Sequence, residues 1–151
     1  MSNPLMRRTG VPPYRALRFL LSNIDATDES AGLTISARGG LGMVERNDSV
    51  RQAIFLLLST TPGERVMRPS YGCELRRLVF SPNDDTTAGL AIHYTRRALE
   101  RWEPRIEIHR LDARRDPEAP GWLILLLEYR VRATQQVELA TFSFSLTGDE
   151  F

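Results

Sequence analysis

Lysine is absent from this chain of 151 residues, cysteine occurs once, at Cys73, and histidine twice, at His93 and His109. A single cysteine excludes an internal disulfide framework. Two isolated histidines and one thiol do not supply the spaced ligand set of a zinc site, so neither a metal nor a cofactor is expected. Long apolar runs are also missing. Residues 16–21 are interrupted by Arg18, and residues 124–127 are short and lie inside an alternating pattern. Neither stretch suits a membrane span or the apolar core of a signal peptide. The expectation is a chain made and kept in the cytoplasm, with no direct membrane insertion. A G-x-x-x-x-G-K-[ST] phosphate loop is lacking too, so the cluster Gly39, Gly40, Gly42 reads as a flexible connector. No G-x-S-x-G nucleophile elbow occurs. An excess of one charge is likewise missing. Twenty basic residues face nineteen acidic ones, for a net charge of +1. That near-balance argues against bulk electrostatic binding of nucleic acid or membrane.

What is present is ordinary in bulk and specific in places. Hydrophobic residues make up 42% and charged residues 26% of the chain, as in a soluble domain with a real core. Every basic residue is arginine, the residue of bidentate ion pairs and interfaces, although drift in base composition produces the same bias. Residues 1–13 read as a basic, proline-containing arm, residues 14–21 and 33–35 as short extended segments, and residues 25–32 as a polar turn. Residues 1–40 are therefore assigned to an extended arm with short strands, and residues 41–151 to one domain. A helix is expected over residues 49–59, with Ser49 and Gln52 as a capping box. Its stripe is Val50, Ala53, Ile54, Leu57 and Leu58. Pro62 and Gly63 end it. Val66 and Met67 suit a short strand stopped by Pro69. Residues 74–80 read as a short helix with Leu75, Leu78 and Val79 inward. A longer helix over residues 86–102 follows the acidic turn at Asn83, Asp84 and Asp85.

Beyond Pro104 the period changes to two. Ile106 and Ile108 alternate, but Leu111 falls on the opposite face unless a bulge intervenes. In residues 122–133, Leu123, Leu125, Leu127, Tyr129 and Val131 face one way. In residues 137–146, Ala140, Phe142, Phe144 and Leu146 do the same, after a turn at Thr134, Gln135 and Gln136. Such alternation describes an antiparallel sheet covered on one face. The fold class expected is α+β: two main helices and a short helix packed on a mixed sheet with a C-terminal antiparallel three-stranded meander.

Two stretches carry chemistry. In Trp102, Glu103, Pro104, Arg105 and Ile106 the proline stops the helix and pushes Glu103 toward extended geometry. Residues i and i+2 of an extended segment share a side. Glu103 and Arg105 are thus expected to form a preset charged pair at a rigid corner. Such a corner suits binding better than catalysis, and Arg105→Ala is expected to spare the isolated fold. In the second stretch, a helix stop and two turns explain Pro62, Gly63 and Pro69, but not why Glu64, Arg65 and Arg68 arrive together. As an acid–base pair, Glu103 with Glu107, or Glu64 with Glu74, lacks any sign of an apolar pocket that would raise a pKa. Cys73 at the start of a short helix admits an activated thiol, but a packing role explains it as well. The arginine doublets at 76–77, 96–97 and 114–115 are interleaved with acids and lack clustered aromatics, which favours solvated faces or protein salt bridges over phosphate binding.

Taken together, these stretches resemble the baseplate wedge and sheath-initiator family of contractile injection systems. The family spans contractile phage tails, type VI secretion baseplates and phage-tail-like particles. The matching pieces are the helix running into Ser59, Thr60, Thr61, Pro62, Gly63, Glu64 and Arg65, then Val66, Met67, Arg68, Pro69, Tyr71 and Gly72. Leu78, Val79, Phe80 and Pro82 follow, and Trp102 to Ile106 complete the set, covering residues 45–146. The resemblance implies a structural protein without catalytic residues, cofactor or metal, present in several copies in a sixfold baseplate. It implies docking on the helical core bundle of the wedge subunits through the Glu103, Pro104, Arg105 motif, with Glu64, Arg65 and Arg68 as further partner contacts. It also implies strand sharing with the sheath protein, contacts to spike or tube proteins, and no nucleic-acid partner. Cytoplasmic assembly precedes incorporation into a virion tail or injection particle. The rival readings are a tail-associated peptidoglycan hydrolase, which a lysozyme-like label in part of the family suggests, and an arginine-dependent nucleic-acid adaptor.

Overall fold

The computed structural model describes residues 14–20 and 32–148. The expected arm over residues 1–13 and most of the polar turn at 25–32 lie outside them. The chain divides into two compact units, residues 1–50 and 51–151. In the first, β1 (Arg15–Leu17) pairs antiparallel with β4 (Met43–Glu45), and β2 (Phe19–Leu20) with β3 (Gly32–Leu33). The glycine cluster is a hairpin turn and not a flexible connector. Ile35 bridges Leu41, Ser36 N–H donates to the Gly40 carbonyl at 2.7 Å, and Gly39 N–H to that of Ser36 at 2.9 Å. Gly42 packs so tightly on Thr34 that a Cβ would overlap its hydroxyl, and Gly39 has a φ of +79°. Glycine is needed there for shape, and the turn closes the isolated bridge between Ile35 and Leu41.

The chain passes from β4 directly into α1 (Arg46–Ser59). The helix begins three residues before the expected start, so Ser49 lies inside it and does not cap it. The apolar stripe is as read from the sequence: Val50, Ile54, Leu57 and Leu58 are buried. Phe55, off that stripe, meets Phe142 with ring centroids 6.2 Å apart, which ties α1 to the sheet. A short 3-10 helix, Glu74–Leu78, buries Leu75 and Leu78. Val79 lies half-buried just beyond it. The second long helix, α2 (Asp85–Trp102), is capped by Asp84, whose side chain accepts from Thr87 N–H at 2.8 Å. Its buried side is Thr87, Ala91, Thr95, Ala98 and Leu99.

The core sits against a three-stranded antiparallel meander, β5 (Ile106–Arg115), β6 (Trp122–Val131) and β7 (Val137–Ser145), in that order. Leu123, Leu125, Leu127, Tyr129 and Val131 are buried to within 1% of completeness, and Ala140, Phe142 and Phe144 complete the inner face. β5 contains a bulge between Ile108 and Arg110, where two of its residues oppose one step of β6. That extra residue, His109, returns Leu111 and Ala113 to the side shared by Ile106 and Ile108, opposite buried Leu127 and Leu125. Tyr129, wholly buried, donates its hydroxyl to Glu138 at 3.1 Å and so satisfies its polar end. Among the described residues every strand pairing is antiparallel, and β5 and β7 each have β6 alone as a strand neighbour, so both are edge strands of the sheet.

One expected strand does not form. Val66 and Met67 lie in a run of turns and are 93% and 92% exposed. Successive turns satisfy the backbone locally instead, with Glu64 N–H donating to the Thr61 carbonyl and Arg68 N–H to that of Arg65, each at 3.1 Å.

Candidate partner-docking site

The segment between α1 and the 3-10 helix is a closed loop. Cys73 N–H donates to the Thr60 carbonyl at 2.8 Å and Gly63 N–H to that of Pro69 at 2.7 Å. Gly72 makes the closure sterically feasible. Its φ is +135°, and a Cβ would strike the Thr60 carbonyl oxygen. Glu64 holds the loop from within. Its carboxylate accepts from Thr61 N–H at 2.9 Å and from Arg76 at 3.2 Å. The Thr61 backbone hydrogen bond is the main reason its pKa falls below the ordinary carboxylate value, with Arg76 adding to the effect. Further turns at Arg65–Arg68 and Arg68–Tyr71, each closed by a backbone bond of 3.1 and 3.0 Å, stiffen the remainder. The loop therefore presents Val66 and Met67 to solvent on a hydrogen-bonded frame, flanked by Arg65 and Arg68.

The corner after α2 forms the charged pair expected from its spacing. Arg105 Nε donates to Glu103 Oε1 at 2.5 Å and its NH2 group to Oε2 at 2.6 Å, a bidentate pair. Glu103 does not emerge as expected, because it is only 5% exposed. It closes the helix as well, its N–H reaching the Leu99 carbonyl at 2.8 Å. Both of its oxygens are taken, so its part is to orient Arg105, whose side chain is 28% exposed. The expectation that Arg105→Ala spares the fold is corrected accordingly: truncation would leave a buried carboxylate without its cation.

Tyr71 and Trp102 join the two stretches. Their rings meet edge-on at 5.4 Å. Arg65 lies over Tyr71 at 4.5 Å and Arg101 over Trp102 at 4.9 Å, giving an arginine–aromatic–aromatic–arginine stack. Burial raises the Tyr71 phenol pKa, and the charges acting on it include Arg65, Glu103, Arg105 and Arg68. Four of the six expected site residues thus surround one tyrosine, Pro104 lies between two of them, and Glu64 braces the loop beneath. Next to the stack a groove of about 170 Å³ is lined by Pro62, Gly72, Glu74, Tyr94, Arg97, Arg101 and Trp102, among others. Tyr94, Arg97 and Arg101 were not singled out from the sequence as site residues. The signal available was their helical spacing with Trp102 along the last turns of α2.

Other candidates read from the sequence fall elsewhere. Cys73 is buried, and burial pushes its thiol up to about 11, the opposite of an activated nucleophile. Glu107 pairs with Arg130 at 2.5 Å on the outer face of the meander. That hydrogen bond and charge lower its pKa. Glu74 is shared between Arg77 and Arg97 at 3.2 and 3.7 Å. No group of three or more potential metal ligands occurs among the described residues.

No curated protein matches the sequence. A provisionally named tail lysozyme from Geobacter sulfurreducens is 37% identical over 72% of this chain and 99% of its own, with a TM-score of 0.64. A chain of the anti-feeding prophage baseplate shares the fold at 19% identity, over 76% of this chain and 80% of that one, with a TM-score of 0.56. A chain of the type VI secretion baseplate complex does so at 18% identity, over 64% and 90%, with a TM-score of 0.50. The sequence model for baseplate wedge protein gp25 matches residues 44–136, which include the closed loop, the Tyr71–Trp102 stack and the charged corner. The chain belongs to the baseplate wedge protein gp25 family.

Proposed function

We propose that this protein is a structural, non-catalytic baseplate component of a contractile injection machine. It docks on the helical core of the wedge subunits and templates the first sheath ring by sharing a strand with the sheath protein. The observation that carries the docking half is the convergence of the two motifs on Tyr71 and Trp102. Arg65 is held there over the Tyr71 ring and Arg105 by the buried Glu103, and the Arg68 charge also acts on Tyr71. Aromatic and arginine side chains held in place before binding are the usual anchors of a protein interface. Glu64, Glu103 and Pro104 contribute by holding that surface in shape.

The sheath half is supported by the open edge of β7. Its backbone is available for β-augmentation, and Val137 and Leu139 beside it are 53% and 69% exposed. The expected result is that the double variant Arg65→Glu/Arg68→Glu fails to co-purify with wedge subunits. Leu139→Lys should still join the wedge but recruit no sheath. Wild-type recovery of both complexes would overturn the reading.

A hydrolase is the second reading, favoured by the name of the Geobacter relative. The carboxylates oppose it. A general acid needs a pKa raised by an apolar pocket, whereas Glu64 and Glu107 are both held low and Glu74 and Glu103 are engaged by arginine. Clearing of peptidoglycan in a zymogram by the purified chain would restore the enzymatic reading.

A further inference from the structure

The charge of the chain is unevenly distributed. Residues 61–77 and 94–105 hold eight arginines and four acidic residues, although the whole chain carries twenty basic against nineteen acidic. All four of those acids are already engaged. Glu64 meets Arg76, Glu74 meets Arg77 and Arg97, Glu100 meets Arg96, and Glu103 meets Arg105. Arg65, Arg68 and Arg101 have no carboxylate among the described residues. Two of them are instead spread over aromatic rings, which keeps each guanidinium edge free to bond outward. The groove beside them is open and half-apolar in character, with Trp102 and Tyr94 in its lining and Arg97 and Arg101 among its charged residues.

We infer that this stack and groove bind an acidic segment of a partner protein. Its carboxylates meet Arg65, Arg68 and Arg101, and an apolar side chain between them enters the groove against Trp102. The chemistry is complementary in each part. Guanidinium groups with no internal carboxylate offer paired donors that match a carboxylate. The excess of positive charge in these two stretches steers an acidic partner toward them. The cavity of about 170 Å³ has room for one apolar side chain and not for a folded element, so the partner supplies a single anchor. The inference deepens the docking reading above and rests on it only in taking the partner to be a protein.

The test is selection of a random-peptide display library on the full chain, followed by binding of the recovered peptides to Arg65→Glu, Arg101→Glu and Arg114→Glu. Arg114 is exposed on the sheet and controls for the change of charge. The expected peptides carry Asp or Glu on both sides of an apolar residue. Their affinity should fall by about tenfold or more in Arg65→Glu and Arg101→Glu and hold in Arg114→Glu. Recovered peptides without acidic enrichment, or with equal affinity for all three variants, overturn the inference. A single-stranded oligonucleotide bound through the same arginines, with steep salt dependence, would replace the peptide by a phosphate ligand. Incorporation into baseplates separates the two readings. If Arg65→Glu/Arg68→Glu is excluded while Arg101→Glu enters normally and the peptides are not acidic, docking stands and the groove assignment fails. If every variant enters normally while acidic peptides still require Arg65 and Arg101, the groove stands and docking fails.

Discussion

Glu103 illustrates how a single residue can be read correctly for its partner and wrongly for its surroundings. Its pairing with Arg105 follows from local geometry, since two residues flanking a proline in extended backbone are placed side by side. Its burial does not, because that depends on what packs over the corner. The consequence is measurable. Arg105→Ala should lower stability by about 2–3 kcal/mol, less than the loss of a fully buried partner because Arg105 is partly exposed. Arg105→Lys, which keeps the charge but not the fork, should fall between it and wild type in urea denaturation. Glu64 gives a pH-dependent counterpart. Its pKa in the folded chain is depressed, so its contribution is present above the unfolded value and is lost as pH falls through the folded one. The gap in melting temperature between wild type and Glu64→Gln is therefore expected to shrink as the solution is acidified below the ordinary carboxylate range. A gap that is constant with pH would refute this role.

At the level of elements, the closed loop and the bulged strand show different kinds of constraint. The loop depends on Gly72, where positive φ and contact with the Thr60 carbonyl coincide. Gly72→Ala should cost on the order of 1–3 kcal/mol and loosen the loop, seen as faster amide exchange at Gly63 and Cys73, whose N–H groups close it. The bulge at His109 is tolerant by comparison. Removing that residue would leave Ile106, Ile108, Leu111 and Ala113 on the inner face, because each keeps its partner on β6. A His109 deletion should fold with a melting temperature close to that of wild type. Deletion of Asp112, which would slip every later residue to the opposite face, should not.

At the scale of the whole molecule, the meander is covered on one face, and among the described residues β7 is an edge strand. An edge strand bearing exposed Val137 and Leu139 is a template for another strand, from the sheath protein under the function proposed above or from a second copy of this chain. Glu138 is turned inward to Tyr129 and so does not guard that edge. Leu139→Lys should therefore reduce self-association of the purified chain in sedimentation velocity without lowering its melting temperature. Association unchanged by the substitution would mean that the edge is not used.

Periodicity alone was enough for the long elements. The 3.6-residue stripe of α1 and the alternation of β6 and most of β7 are properties of neighbouring residues, and each survives into the structure. The proline corner with its charged pair was legible for the same reason, because its geometry is set within four residues. What depended on contacts between distant segments was not legible. Ser49 looks like a cap until β4 is seen to run straight into the helix, and Val66 and Met67 look like a strand until the loop closes across Thr60 and Cys73. The stack that unites Arg65, Tyr71, Trp102 and Arg101 joins residues some thirty positions apart. Local sequence dictates which backbone shapes are cheap. Only tertiary packing decides which charges meet, which are buried, and which remain facing outward for a partner.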